Sequence, residues 1–140
     1  MRIVSQLQTL DDALEAWQRY RQIPSEKFHD DKDTQYMVSH AMLLAIQSSI
    51  DIATGIAVMK TPRRPDTYRE TFLVLGKSGV ISEDLAGEMA KLAGFRNLLV
   101  HEYTGLDTSR IYRILTDNWE TIDRFRITAR EFVRQLPENR

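Results

Sequence analysis

The sequence predicts an all-α fold: an up-and-down bundle of four or five helices in a single domain over residues 1–140. Three observations predict it. Apolar residues recur three and four apart along most of the chain, whereas the period of two that marks strands is nowhere sustained. Only six glycines and four prolines occur, mostly at breaks between periodic segments. Helix-capping residues stand where several of those segments begin.

The first helix carries Ile3, Leu7, Leu10, Leu14 and Trp17 as one apolar seam and stops before Pro24. SEKFHDDKD, next in the chain, is polar and reads as a short turn of helix. A long helix is expected from about Thr34 to Met59, apolar on nearly all sides and therefore central. Pro62 and Pro65 make residues 61–66 a loop. Thr67 and Glu70 have the spacing of a capping box, with Tyr68, Phe72 and Leu75 following on one face and Gly76 and Gly79 closing the helix. Ser82 caps the next helix, which runs to a stop at Gly105. The last one starts near Asp107 or Thr108 and keeps Ile111, Leu115, Asn118, Ile122, Phe125, Ala129, Phe132 and Leu136 in one seam. Asn118 at a seam position either fixes register or faces a loop or water.

Composition narrows the function classes. There is no cysteine, which excludes disulfides, zinc–thiolate sites and cysteine nucleophiles and fits a reducing cytoplasm, the expected location. The net charge of −1 gives no global basic field, so any nucleic-acid site must be a local patch. The N-terminus lacks the apolar core of a signal peptide. The most apolar stretch, residues 41–59, is interrupted by Asp51 and several Ser, Thr and Gln, so no membrane association is expected.

Residues 95–103, FRNLLVHEY, put four large polar groups into a helix that should be buried. At about 100° per residue, Arg96, Asn97, His101 and Tyr103 fall within roughly 160° of one another, with Ala90, Ala93 and Val100 between them. Leu92, Phe95, Leu98 and Leu99 occupy the other side. Large polar residues among small ones describe a recess rather than a solvated face, and Asn97 and His101 are spaced to hydrogen-bond. The residue types suit phosphodiester chemistry. A histidine moves protons near neutral pH. An arginine matches phosphate as a fork. RNA brings its own nucleophile, the 2′-hydroxyl, so no metal or other cofactor is required by that scheme. One chain offers one such histidine, and a symmetric dimer would bring two.

With these residues in place, the sequence resembles the HEPN superfamily, and within it the HepT-like toxins of MNT–HEPN toxin–antitoxin pairs. The pattern R-x4-H-x-Y, with Asn after the Arg, stands intact as Arg96, Asn97, His101 and Tyr103. TYRETFLVLGKSGVI (67–81), SIDIA (49–53) and GFRNLLVHEYTGLD with Ile111 and Tyr112 run in the same register, so the similarity covers about Leu7 to Phe132. The resemblance implies a helical bundle that forms a homodimer through the motif helix. It implies a metal-independent ribonuclease toxin of type VII character, with Arg96, Asn97 and His101 catalytic. It also implies an MNT-type nucleotidyltransferase antitoxin that attaches AMP to Tyr103 and so blocks RNA phosphate binding at Arg96.

Asp51, alone in an apolar stretch, is a candidate to orient Arg96 or His101, or else a surface carboxylate at a bend. Lys60, Arg63, Arg64 and Arg69 form a basic group that either contacts RNA phosphate or is simply solvated. His29 and His40 share no ligand spacing with His101, so no metal site is expected. Most of Arg124, Arg126, Arg130 and Arg134 on the last helix are expected to face solvent, and Trp17 and Trp119 to be packing residues. Two other functions fit the same residues. One is a non-catalytic scaffold partner of a nucleotidyltransferase, and the other a nucleotide-binding module using Arg96.

Overall fold

The computed structural model describes residues 2–101 and 107–137, with the backbone alone at His101. Among these, seven helices are present and no strand: α1 (Arg2–Tyr20), α2 (Ser25–Asp30), α3 (Lys32–Lys60), α4 (Tyr68–Lys77), α5 (Glu83–His101), α6 (Thr108–Asp117) and α7 (Trp119–Arg134). α3 packs against all the other six, which explains why apolar residues surround it. It is long and apolar enough to cross a membrane by length and composition, and most of that stretch is buried among the neighbouring helices.

Contacts between neighbours run in opposite senses. Ile3 of α1 meets Gly55 near the end of α3, and Tyr20 shares a groove with Met37 near its start. Leu14 and Asp11 of α1 meet Trp119 and then Arg126 and Arg130 of α7. Gly76 at the end of α4 meets Ala86 near the start of α5. The seam residues Leu7, Leu10, Leu14 and Trp17 join Ile46, Ile50, Phe72, Phe95, Ile111 and Phe125 in one core. Phe72 and Phe125 meet edge to face at 5.5 Å, locking α4 to α7.

The caps explain the boundaries. Asp31 caps α3, accepting from Asp33 N–H and from the Thr34 hydroxyl. The Thr34 bond holds its carboxyl below the usual carboxylate range. Thr67 Oγ1 accepts from Glu70 N–H at 3.0 Å, as the capping box requires, but Glu70 returns its bond to Asp66 N–H rather than to Thr67. Ser82 Oγ accepts from Leu85 N–H. Gly79, at φ +81°, supplies the left-handed residue that ends the α4 turn. Gly76 does not close α4. It lies inside the helix because a side chain there would collide with Ala86.

Two expectations about the last seam change. The expected single helix is two, broken at Asn118, which is half-buried and joins α6 to α7 instead of sitting in the core. The break leaves α6 carbonyls without helical donors, and one of them, Leu115 O, accepts from the buried Trp17 Nε1 at 2.8 Å. Trp119 Nε1 donates to Leu14 O at 2.9 Å, so both tryptophans are packing residues that bind helix to helix. Of the α7 arginines, expected mostly to face solvent, Arg124 and Arg134 are exposed and the other two are not. Arg126 and Arg130 are partly buried and share Asp11 of α1, at 3.4 and 2.7 Å. Both residues fall on the side of α7 that packs against α1.

Candidate functional site

Helix α5 is buried through its first half by Leu85, Ala86, Met89, Ala90, Leu92, Ala93 and Phe95. Ala90 and Ala93, read from the sequence as the lining of a polar face, are buried. Their small size suits close packing of neighbouring helices on α5. The polar side opens one turn later. Arg96 is half-buried, Asn97 exposed, and Leu98, Leu99 and Val100 half-buried, so Leu98 and Leu99 only partly join the core.

Arg96 is held on three sides. Its Nε–H donates to Gln47 Oε1 at 2.7 Å, a short, charge-assisted bond. Nη1 donates to Asn97 Oδ1 at 3.1 Å. The guanidinium lies 5.6 Å from the centre of the Tyr68 ring, within cation–π range. Gln47 is itself held, because its Nε2 donates to Asp51 Oδ1 at 3.0 Å one helical turn along α3. Among the described residues, Nη2 has no protein acceptor.

Beside this arginine lies an open recess of about 470 Å³, lined by Asp66, Thr67, Tyr68, Arg69, Ala93, Gly94 and Asn97. Small residues form its floor, and Tyr68 is an exposed aromatic at its rim. Of the face read from the sequence, Asn97 and Ala93 line this recess and Arg96 does not; the rest of its wall comes from the start of α4 and the loop before it.

Residues 10–129 match the family described as Ribonuclease HepT-like. The chain belongs to that family. Among proteins similar to this HepT-like chain are the tRNA nuclease HepT of Aphanizomenon flos-aquae and the mRNA nuclease HepT of Shewanella oneidensis. The first is 25% identical over 114 residues, covering 81% of this chain and 78% of the relative. The second is 25% identical over 99 residues, covering 71% and 74%. The tri-AMPylated Shewanella oneidensis HEPN toxin, solved in complex with an MNT antitoxin, superposes with a TM-score of 0.82 at 22% identity over 92% of this chain and 96% of its own. The cytosolic protein YutE of Bacillus subtilis shares the fold at a TM-score of 0.78 and 18% identity, covering 94% of this chain and 88% of its own. The HEPN-type helical bundle expected from the resemblance is the fold this chain has.

Within this HepT-like fold the predicted site residues separate into groups. Arg96 and Asn97 are in direct contact. The Asn97 Oδ1 accepts from Arg96, and the hydrogen bond that the spacing allows between Asn97 and His101 lies outside the described residues. The side chain of His101 and the whole of Tyr103 lie outside the described residues. Asp51 reaches Arg96 only through Gln47.

The basic group divides. Arg69 lines the recess beside Arg96. Arg63 and Arg64 line a second groove with Glu70 and Lys77, and Arg63 pairs with Asp66 at 3.2 Å. Lys60 sits 5.3 Å from the Phe132 ring. His29 bonds its own helix through Ser25 O, and His40 faces a groove between α1 and α3.

Sequence reading missed Gln47 and Tyr68. A signal for Gln47 exists: Gln47 and Asp51 form an i, i+4 polar pair on a helix otherwise apolar. For Tyr68, the capping-box helix suggested only a packing residue.

Proposed function

We propose that this chain is a metal-independent endoribonuclease toxin of a type VII-like toxin–antitoxin pair. The observation that carries the reading is the held Arg96, whose Nη2 has no acceptor among the described residues and whose partners Asn97 and Tyr68 line an open recess. Membership of a family of ribonucleases supports it.

In the proposed reaction the RNA 2′-oxygen attacks the adjacent phosphorus and gives its proton to a neutral His101. Charge grows on the non-bridging oxygens of the phosphorane, where Arg96 donates and Asn97 orients. The bond from phosphorus to the 5′-oxygen breaks, and that oxygen takes a proton from a protonated histidine. The products are a 2′,3′-cyclic phosphate and a 5′-hydroxyl. A homodimer with the motif helices facing one another supplies His101 twice, once as base and once as acid.

The proposed off-switch is Tyr103. A partner nucleotidyltransferase of the MNT kind joins its phenolic oxygen to the α-phosphate of ATP, with pyrophosphate leaving and the phenol proton lost to solvent. Tyr103 follows Arg96 by seven residues in sequence, so an attached AMP would bring negative charge and bulk near the arginine and compete with RNA phosphate. Support comes from a HEPN toxin of similar fold that is tri-AMPylated in complex with its MNT antitoxin.

The test is purified protein incubated with RNA in excess chelator. Cleavage leaving cyclic phosphate ends is expected, and it should vanish in His101→Ala and Arg96→Ala. Cleavage that survives His101→Ala overturns the assignment. Co-expression with a partner nucleotidyltransferase of the MNT kind should add the mass of AMP to the native chain and not to Tyr103→Phe.

A further inference from the structure

Gln47 is in contact with two charges of opposite sign. Arg96 can only donate hydrogen bonds and an ionised Asp51 can only accept them. A primary amide satisfies both at once, and in one orientation only: its Nε2 toward Asp51 at 3.0 Å and its Oε1 toward Arg96 Nε at 2.7 Å. Asp51 thus fixes which way the amide points, and the amide fixes the arginine. The arrangement also keeps the carboxylate off the guanidinium. A direct Asp–Arg pair would engage the fork and compete with a phosphate, whereas the Gln47 carbonyl takes only the Nε–H, Asn97 takes a donor of Nη1, and Nη2 has no acceptor among the described residues.

We propose that Gln47 is the positioning residue of the site, a polarity-matched link through which Asp51 orients Arg96 for phosphate. This deepens the ribonuclease reading and rests on it. Gln47 touches neither substrate nor reacting atoms. Its role is to stop the arginine from turning its fork away or collapsing onto Asp51. Tyr68 covers one face of the guanidinium and Asn97 holds Nη1, so removing Gln47 releases the hold on Nε.

The link can be rebuilt with its polarity reversed. Gln47→Leu keeps much of the bulk and loses both bonds. Gln47→Glu sets two carboxylates against each other. Gln47→Glu combined with Asp51→Asn restores the pair. The new amide at position 51 then donates to one oxygen of the new carboxylate at position 47, and the other oxygen accepts from Arg96. Cleavage by Gln47→Leu and Gln47→Glu is expected to fall about 10- to 100-fold, mainly in kcat, as for a catalytic group displaced by a fraction of an ångström to an ångström. The double variant is expected to return to within about threefold of the native rate. A merely structural role would leave the double variant no better than Gln47→Glu.

The second readout is independent of activity. The Arg96 Nε–H resonance, identified by its loss in Arg96→Lys, should be slow to exchange with solvent in the native chain and in the double variant, and fast in Gln47→Leu. If the native protein cuts no RNA, the ribonuclease reading fails and this resonance still judges the link. Native cleavage with an unprotected Nε–H, or a Gln47→Leu variant that cuts at the native rate, overturns the link and leaves the ribonuclease reading standing.

Discussion

Replacing Gly76 with alanine tests how α4 is seated on α5. Gly76 is helical, so alanine there gains about 1 kcal/mol of intrinsic helix propensity. Against that gain, the new methyl carbon would lie 2.7 Å from Ala86 Cβ and 3.5 Å from Glu83 Cα. Carbons pack at about 3.5–4.0 Å, so the two helices must separate by close to 1 Å. Relief of an overpacked contact of that size costs about 1–3 kcal/mol. The clash wins, and the net loss is about 1 kcal/mol.

The control is Gly87→Ala on α5, where an added methyl meets nothing within 4 Å. There the propensity term acts alone and stabilises by about 0.5–1 kcal/mol. Urea denaturation at one fixed protein concentration should therefore separate the two variants by roughly 2 kcal/mol, in opposite directions from the native chain. Gly76→Ala combined with Ala86→Gly moves the methyl across the interface and should recover the packing part of the loss. A Gly76→Ala protein as stable as Gly87→Ala would refute the reasoning. The contact matters for the site because the same α4–α5 interface carries Tyr68 to Arg96 at its other end.

Four other expectations follow from the same geometry. Asp11→Ala leaves Arg126 and Arg130 without their α1 partner and should cost about 1 kcal/mol in chemical denaturation, since these side chains are only a quarter to a third exposed. Trp17→Phe loses the donor to Leu115 O in the fully buried core and should cost about 1–3 kcal/mol by the same measurement. Asp31 has a carboxyl held below its ordinary range by the Thr34 hydroxyl, so its stabilising contribution is complete at neutral pH and is lost as pH falls through the lowered value; Asp31→Asn, which keeps a capping oxygen, should flatten the acid limb of a Tm–pH profile. Tyr68→Ala uncovers one face of Arg96 and should weaken RNA cleavage by about threefold to tenfold, with Tyr68→Phe near native, measured as kcat/KM.

The legible parts of this protein are the ones encoded over three or four residues. The helical period is a property of neighbouring side chains, and so are the caps at Asp31, Thr67 and Ser82. FRNLLVHEY marked the candidate site for a related reason: polar groups placed against an apolar pattern are costly, and the cost is visible in the sequence. The single expected helix over Ile111–Leu136 shows where local reading fails. The apolar spacing continues across Asn118 although the backbone does not, because the seam reports which residues are buried, not whether one axis carries them.

By itself, then, the sequence determined the helical class, most element boundaries and the adjacency of Arg96 and Asn97, since each depends on residues within about two turns of one another. Tertiary structure alone decided what holds Arg96. Gln47 precedes it by 49 residues and Tyr68 by 28, and nothing local ties them together. Their meeting follows from the register in which α3 and α4 pack on α5. That register is set by the summed fit of Ile50, Phe72, Gly76, Ala86 and Phe95, and no single spacing along the chain encodes it.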